Sequence, residues 1–329
     1  MSSIRCFFNV LWAKLTRRSV CLSHSSDVDG IVCAALFLRA TKGKGLVVLA
    51  EPYEIKSRGS WTKVFKWDYV LDLPCPSRAS VFIDHHETNK PTPTVNEAYY
   101  DPKAPSAASL AVKAFKLEDD QVARKLIELA NECDTANIVS DEGWDLNDAV
   151  KGSPISERVK LAKLLSEMGI EALRLPEVQK WISRNRERRE RTRQLADKIP
   201  IEDSVFIELD GENDISPRNL MITLERKGAK VTCVITPRNG KYKIHLGSRE
   251  DSGIDCSKLA SKIGGGGHRY AAGATVSDPY GALKLIAKKL KLRRLKVHKV
   301  KGAEVIGVKE LRIRVRRRRR LSRGPETRD

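Results

Sequence analysis

The sequence predicts an α/β protein, with a parallel-sheet N-terminal domain followed by a smaller mixed α/β domain. Short apolar runs alternate with helical stretches through the first 175 residues, the pattern of a parallel sheet with helices on both faces. A long charged stretch at 176–200 interrupts that alternation, and turn signals separate strand-like runs beyond it. The chain has 329 residues, 41% of them hydrophobic, which suffices for two cores of ordinary size.

The first 18 residues hold Arg5, Lys14, Arg17 and Arg18 without an acid and read as a helix feeding the first strand. Residues 19–22, 45–50, 69–71 and 81–83 read as strands. Residues 31–40, 106–116, 121–131 and 158–174 read as helices. The 176–200 stretch carries Arg184, Arg186, Arg188, Arg189, Arg191 and Arg193 and reads as a solvated connecting helix. In the second domain, strands at 205–209 and 231–236 flank a helix at 216–226. Asn239-Gly240 signals a type I′ hairpin turn. A short helix at 257–263 leads into Gly264-Gly265-Gly266-Gly267-His268. From Val305, apolar and basic residues alternate as far as Val315, which suggests a basic strand before an arginine run. The expected organisation is therefore 1–175 as the parallel-sheet domain, 176–200 as a linker helix, 201–290 as the smaller mixed domain and 291–329 as a basic extension.

Composition narrows the function. No apolar run is long enough to span a bilayer, so no membrane partner is expected. Seven cysteines form no C-x-x-C pair, which points to free thiols in a reducing, cytoplasmic setting rather than structural zinc. The net charge is +19, and residues 291–329 alone hold 16 Lys and Arg against four Asp and Glu. A basic tail on a mildly basic body suits a polyanion bound through its phosphates.

Chemistry-bearing residues gather where strands end. His24-Ser25-Ser26-Asp27-Val28-Asp29 follows the first strand, Asp72 the third, Asp84-His85-His86 the fourth, and Asp134 a helix. Functional groups of parallel sheets collect at those carboxyl ends. Carboxylates and imidazoles, with no thiolate among them, suit Mn²⁺ or Mg²⁺. Asp72 is the natural bridge between two ions about 4 Å apart. In the second domain, successive glycines allow backbone N–H groups to approach phosphate, with His268 beside them and Arg249 as a bidentate phosphate contact.

These motifs together resemble the DHH phosphoesterases, in the branch with a DHH-associated C-terminal domain that includes RecJ-like exonucleases, nanoRNases and cyclic-dinucleotide phosphodiesterases. The resemblance covers residues 18–290; the basic extension lies outside it. It implies one Mn²⁺ on His24, Asp27 and Asp72, and a second on Asp29, Asp72, His85 and Asp134, with Mg²⁺ as a substitute. It further implies catalytic roles for Asp84, His85 and His86, and substrate contacts from Arg249, Gly265, Gly266, Gly267 and His268 across an interdomain cleft. The expected activity is exonucleolytic hydrolysis of single-stranded DNA or RNA, or of short oligonucleotides, by two-metal activation of water. Alternatives are a cyclic- or linear-dinucleotide phosphodiesterase and a non-catalytic replication or repair scaffold. Replication or repair proteins are the expected protein partners.

Overall fold

The computed structural model describes residues 3–135, 137–211, 214–238 and 240–313. The chain divides into two compact units, Met1–Arg186 and Glu187–Asp329. The first contains α1 (Ser3–Leu15), β1 (Val20–His24), α2 (Val28–Ala40), β2 (Leu46–Ala50), α3 (Pro52–Lys56), β3 (Lys66–Leu71), β4 (Arg78–Asp84), β5 (Val95–Tyr100), α4 (Ala108–Ala114), α5 (Gln121–Asp134), α6 (Asp141–Gly152) and α7 (Arg158–Met168), and it ends within α8 (Pro176–Lys198).

Its sheet is wholly parallel, in the order β2-β1-β3-β4-β5. Parallel strands are covered on both faces and so read as near-continuous apolar runs; Val20, Cys21 and Leu22 are all fully buried. On one face α2 lies at the centre of a core that includes Phe37, Leu126, Leu146, Leu161 and Ile182. On the other, Val10 and Ala13 of α1 pack with Leu22, Trp67 and Phe82. Polar caps set where the helices start. Asp27, Asp120 and Ser140 each accept a backbone N–H at the first turn of α2, α5 and α6, satisfying donors that a helix start leaves free.

The second unit contains β6 (Ser204–Leu209), α9 (Pro217–Arg226), β7 (Val231–Arg238), β8 (Lys241–Ser248), α10 (Cys256–Ser261), β9 (Gly266–Gly267), β10 (Ala271–Val276), α11 (Pro279–Lys289), β11 (Arg294–Lys301) and β12 (Glu304–Arg312). They form a mixed seven-stranded sheet, β12-β11-β6-β7-β8-β10-β9. Leu246, Leu283 and Ile286 lie in the core on one face; Ile207, Leu220 and Leu195 lie in the core on the other. The α/β architecture is the one the sequence predicts.

Individual elements depart from the sequence reading. Strand β5 and helix α6 were not expected. The stretch 158–174 is not one helix, because α7 stops at Gly169, whose φ of +60° breaks the right-handed path. The charged 176–200 stretch is helical but anchored, burying Val178 and Ile182 in the first unit and Leu195 and Ala196 in the second. Several of its arginines are paired, Arg186 with Asp145 at 2.7 Å and Arg191 with Asp214 at 2.7 Å. Residues 294–312, within the stretch expected as a basic extension, form strands β11 and β12 of the sheet: Leu295 and Val297 are buried at the pleat spacing, a register shift at Lys299/Val300 brings Val300 inward as well, and β12 falls where a basic strand is expected. The β7–β8 hairpin is present; Asn239 of its turn, and the tail from Arg314 onward with Val315 and the arginine run, lie outside the described residues.

Phe82 is fully buried at the middle of β4. Phe82→Ala should lower unfolding free energy by about 3–5 kcal/mol, read from the urea midpoint at unchanged m-value.

Candidate metal centre

The strand order reverses at β1, with β2 on one side and β3 on the other, so a crevice opens at the carboxyl ends of β1 and β3. His24 ends β1 and Asp72 follows β3. Gly30 makes the entry to α2 passable, because a Cβ there would lie 2.4 Å from the carbonyl oxygen of His24. Asp72 sits at φ +53°, a left-handed conformation uncommon outside glycine, and its N–H donates to Ile83 O at 2.9 Å. The turn directs its buried carboxylate back over the strand ends.

Three overlapping donor groups result: His24, Asp27 and Asp72; Asp29, His85 and Asp134; and Asp72, His85 and His86. In each, one ligand atom per residue lies within 4.8 Å of the others. Asp72 and His85 each belong to two groups, so the three form one continuous cluster. His24 Nδ1 lies 2.7 Å from Asp27 Oδ2 and 3.1 Å from Asp72 Oδ2. His85 Nδ1 lies 3.0 Å from Ala104 O, which fixes the ring. Its Nε2 faces Asp134 at 3.3 Å and Asp29 at 3.7 Å. That Nε2 and Asp72 Oδ1 are buried without a hydrogen-bond partner. Orphaned polar atoms inside a protein are costly, and two of them aimed into an oxygen- and nitrogen-rich cluster fit a hard or borderline divalent cation. His24, Asp27 and Asp72 would hold one ion; Asp29, His85 and Asp134, with Asp72 bridging, would hold another.

Electrostatics match that reading. Burial pushes Asp29 up to about 8, with the charges of Asp134 and Asp27 adding to it. Its two oxygens accept N–H bonds from Ala107 and Ala108 at 2.7 and 2.8 Å, which opposes the rise without cancelling it. Burial also holds Asp72 well above the carboxylate range, reinforced by Asp27 and Asp29, and lifts Asp134. Such groups gain most from a nearby cation. For His24, burial disfavours the charged ring, but bonds to Asp27, Asp72 and Glu51 outweigh it and carry the ring to about 12, so an ion taken up on Nδ1 would have to displace that proton.

Asp84 belongs to none of these groups but touches one of them through His86. It is fully buried, with Oδ1 accepting the His86 N–H at 2.8 Å and facing His86 Nδ1 at 2.9 Å, while Oδ2 accepts from Asn89 at 2.8 Å. It orients His86, whose side chain is 46% exposed and whose affinity for a proton is raised, chiefly by that hydrogen bond. Sequence reasoning missed Asn89 and Glu51. Glu51 directly follows the apolar run of β2, so the strand-end rule that singled out Asp72 applied to it equally.

In the second unit, the glycine run is partly a packing device. Strand β9 pairs with Ala272 and Gly273 of β10, and a Cβ on Gly265 would lie 2.2 Å from Gly273 O. Gly267 has φ +140° and no room beside Ala272. Gly264 and Gly266 instead face open space. His268 is exposed, its N–H donating to Ala271 O at 2.8 Å. Arg249 spends its fork on Asp251, at 2.8 and 2.7 Å. Beside β9 is a cavity of about 290 Å³ whose lining includes Arg218, Lys243 and His245.

Residues 203–293 match the model of the DHHA1 domain. That match falls within the second unit, from just before β6 to the residue before β11. Among solved structures, the pGpG-specific phosphodiesterase PggH from Vibrio cholerae superposes with a TM-score of 0.64 at 19% identity, covering 83% of this chain and 99% of that one. An exopolyphosphatase-related protein from Bacteroides fragilis gives 0.53 at 17% identity, over 87% of this chain and 96% of that one. Manganese-bound exonuclease RecJ gives 0.50 at 16%, over 88% and 93%. At these identities the likeness is one of fold. With the DHHA1 match and the Asp84-His85-His86 motif, it places the chain on the fold of the DHH phosphoesterases with a DHH-associated domain, the family its motifs predict. No curated protein sequence matches the chain. Strands β11 and β12 lie beyond the DHHA1 match. Among the described residues, no helix is long and apolar enough to cross a membrane.

Within the DHHA1 domain, burial first and then the charges of Lys243 and Arg238 lower His245 from 6.5 to about 4. A lowered histidine is neutral in the fold while the unfolded chain binds its proton. Its contribution to stability is therefore present above about 6.5 and is lost as pH falls toward about 4. Stability across that window should fall more steeply in the wild type than in His245→Gln, measured by denaturant titrations at half-unit pH steps.

Proposed function

We propose that this chain is a two-metal phosphodiesterase that removes nucleotides from the end of single-stranded nucleic acid or of short oligonucleotides. The observation that carries the reading is the continuous donor cluster, in which Asp72 and His85 each serve two groups and each keeps a buried atom without a partner. When bound, the metals supply Lewis-acid polarisation of a phosphoryl oxygen and a lowered pKa for water.

The protein's own residues prepare the rest. Asp84 holds His86 by Nδ1, so Nε2 is free to donate to a phosphate oxygen. The Asp84 hydrogen bond raises the proton affinity of His86 and so favours its charged form, and a fixed donor stabilises charge that develops in the transition state. His85 stays in one orientation because Ala104 O takes Nδ1. In the DHHA1 domain, Gly266, His268 and Arg249 are the proposed phosphate contacts, and an incoming phosphate would have to replace Asp251 on the Arg249 fork. The net charge of +19 supports an extended polyanionic substrate. The name of the manganese-bound structural relative, exonuclease RecJ, supports the same class and Mn²⁺ as the ion. A second reading, a linear-dinucleotide phosphodiesterase, is favoured by the near-complete coverage of the pGpG-specific PggH.

A Mn²⁺ time course on end-labelled single-stranded DNA, single-stranded RNA and a linear dinucleotide separates the two. Stepwise shortening of the long strands is expected. Asp134→Asn should lower kcat at least about a hundredfold. Cleavage of the dinucleotide alone would establish the second reading, and no cleavage of any substrate would overturn both.

A further inference from the structure

We infer that Glu51 is a positioning residue for the first ion, holding the His24 imidazole from behind so that Nδ1 is the atom presented to the metal. The inference rests on the two-metal reading above. The two nitrogens of His24 face different surroundings. Nδ1 is the one gathered with Asp27 and Asp72, at 2.7 and 3.1 Å. Nε2 points the other way, facing Glu51 Oε2 at 3.6 Å. A metal-binding histidine commonly donates its outer N–H to a carboxylate, which fixes the tautomer and makes the inner nitrogen a better ligand. His85 is built on the same plan with the nitrogens exchanged, since Ala104 O takes Nδ1 and Nε2 faces the carboxylates.

Glu51 is itself held in place. It follows β2, and the parallel register sets Ala50 opposite His24. The Ser25 N–H donates to Ala50 O at 3.0 Å, which ties the His24–Asp27 loop to the end of β2. Glu51 Oε1 accepts the hydroxyls of both Ser25 and Ser26. Glu54 Oε2 accepts the Glu51 N–H at 2.7 Å, so that backbone group does not compete for the Glu51 side chain. The carboxylate thus braces the whole loop that carries two of the three proposed ligands of the first ion.

The test is Mn²⁺ binding by the full chain, followed through the electron paramagnetic resonance of free Mn²⁺, for wild type, Glu51→Ala, Glu51→Gln and Asp134→Asn. The melting temperature without metal is recorded for each. Glu51→Ala should weaken one of two ions by about 10–100-fold and leave the other unchanged. Asp134→Asn should weaken the opposite ion. Glu51→Gln, whose amide oxygen still accepts the Nε2–H, should keep the affinity within a few-fold. Two ions bound by Glu51→Ala as tightly as by wild type would overturn the inference, whether or not its melting temperature falls. A Glu51→Gln variant as weak as Glu51→Ala would overturn it too, by showing that the carboxylate's charge, not its hydrogen bond, matters. A wild-type chain that bound no Mn²⁺ would remove the two-metal reading itself.

Discussion

Like-charged carboxylates resist being brought together in a protein interior, and the first unit is organised around overcoming that resistance. Asp29 and Asp72 are buried, and Asp27 and Asp134 lie close by. Three of the four are restrained by something stiffer than their own side chains: Asp29 by the first N–H groups of α4, Asp27 by its cap on α2, and Asp72 by a left-handed turn tied to β4. The two sheet-covering cores supply the stability that such an arrangement consumes. Removal of either core would leave the acids free to separate.

The histidines have complementary tasks. His24 and His85 insert a nitrogen among the carboxylates, whereas His86 stands half outside, steered by Asp84. Three neighbouring motif residues therefore do three different things: Asp84 positions, His85 sets Nε2 among the carboxylates, and His86 stands at the exposed rim of the donor cluster, 3.4 Å from Asp72. The Asp-His-His triplet can be read from the sequence, but this division of labour depends on which atoms Ala104, Asn89 and Asp72 occupy.

The parallel sheet, the donor residues and their strand-end placement were legible because both follow from local pattern, with apolar runs closed by polar residues. Glu51 was not singled out, although it occupies the same kind of position, because a lone glutamate ahead of a short helix has the look of a cap. Strand β5 was missed because Val95–Tyr100 is exposed or half-buried and lacks the apolar run of its neighbours. By its spacing the glycine run resembles a phosphate cradle. The close pairing of β9 with β10 accounts for two of its members, a long-range constraint that spacing alone does not encode. The charged helix was read as solvated since its apolar anchors are outnumbered by arginines.

The β11–β12 hairpin, which continues the DHHA1 sheet beyond the family match, changes which strand meets solvent. Without it the free edge would be β6, whose Val205, Phe206 and Ile207 are buried. An apolar strand with open N–H and C=O groups is a template for pairing between molecules. With the hairpin in place the boundary strand is β12, which carries Glu304, Lys309, Glu310 and Arg312, and a register shift interrupts its ladder beside Lys299 and Val300. Charges and a break in register are the means by which sheets refuse further strands. The hairpin thus acts as a terminator of sheet growth, and the solubility of any shortened form depends on whether the cut leaves it whole.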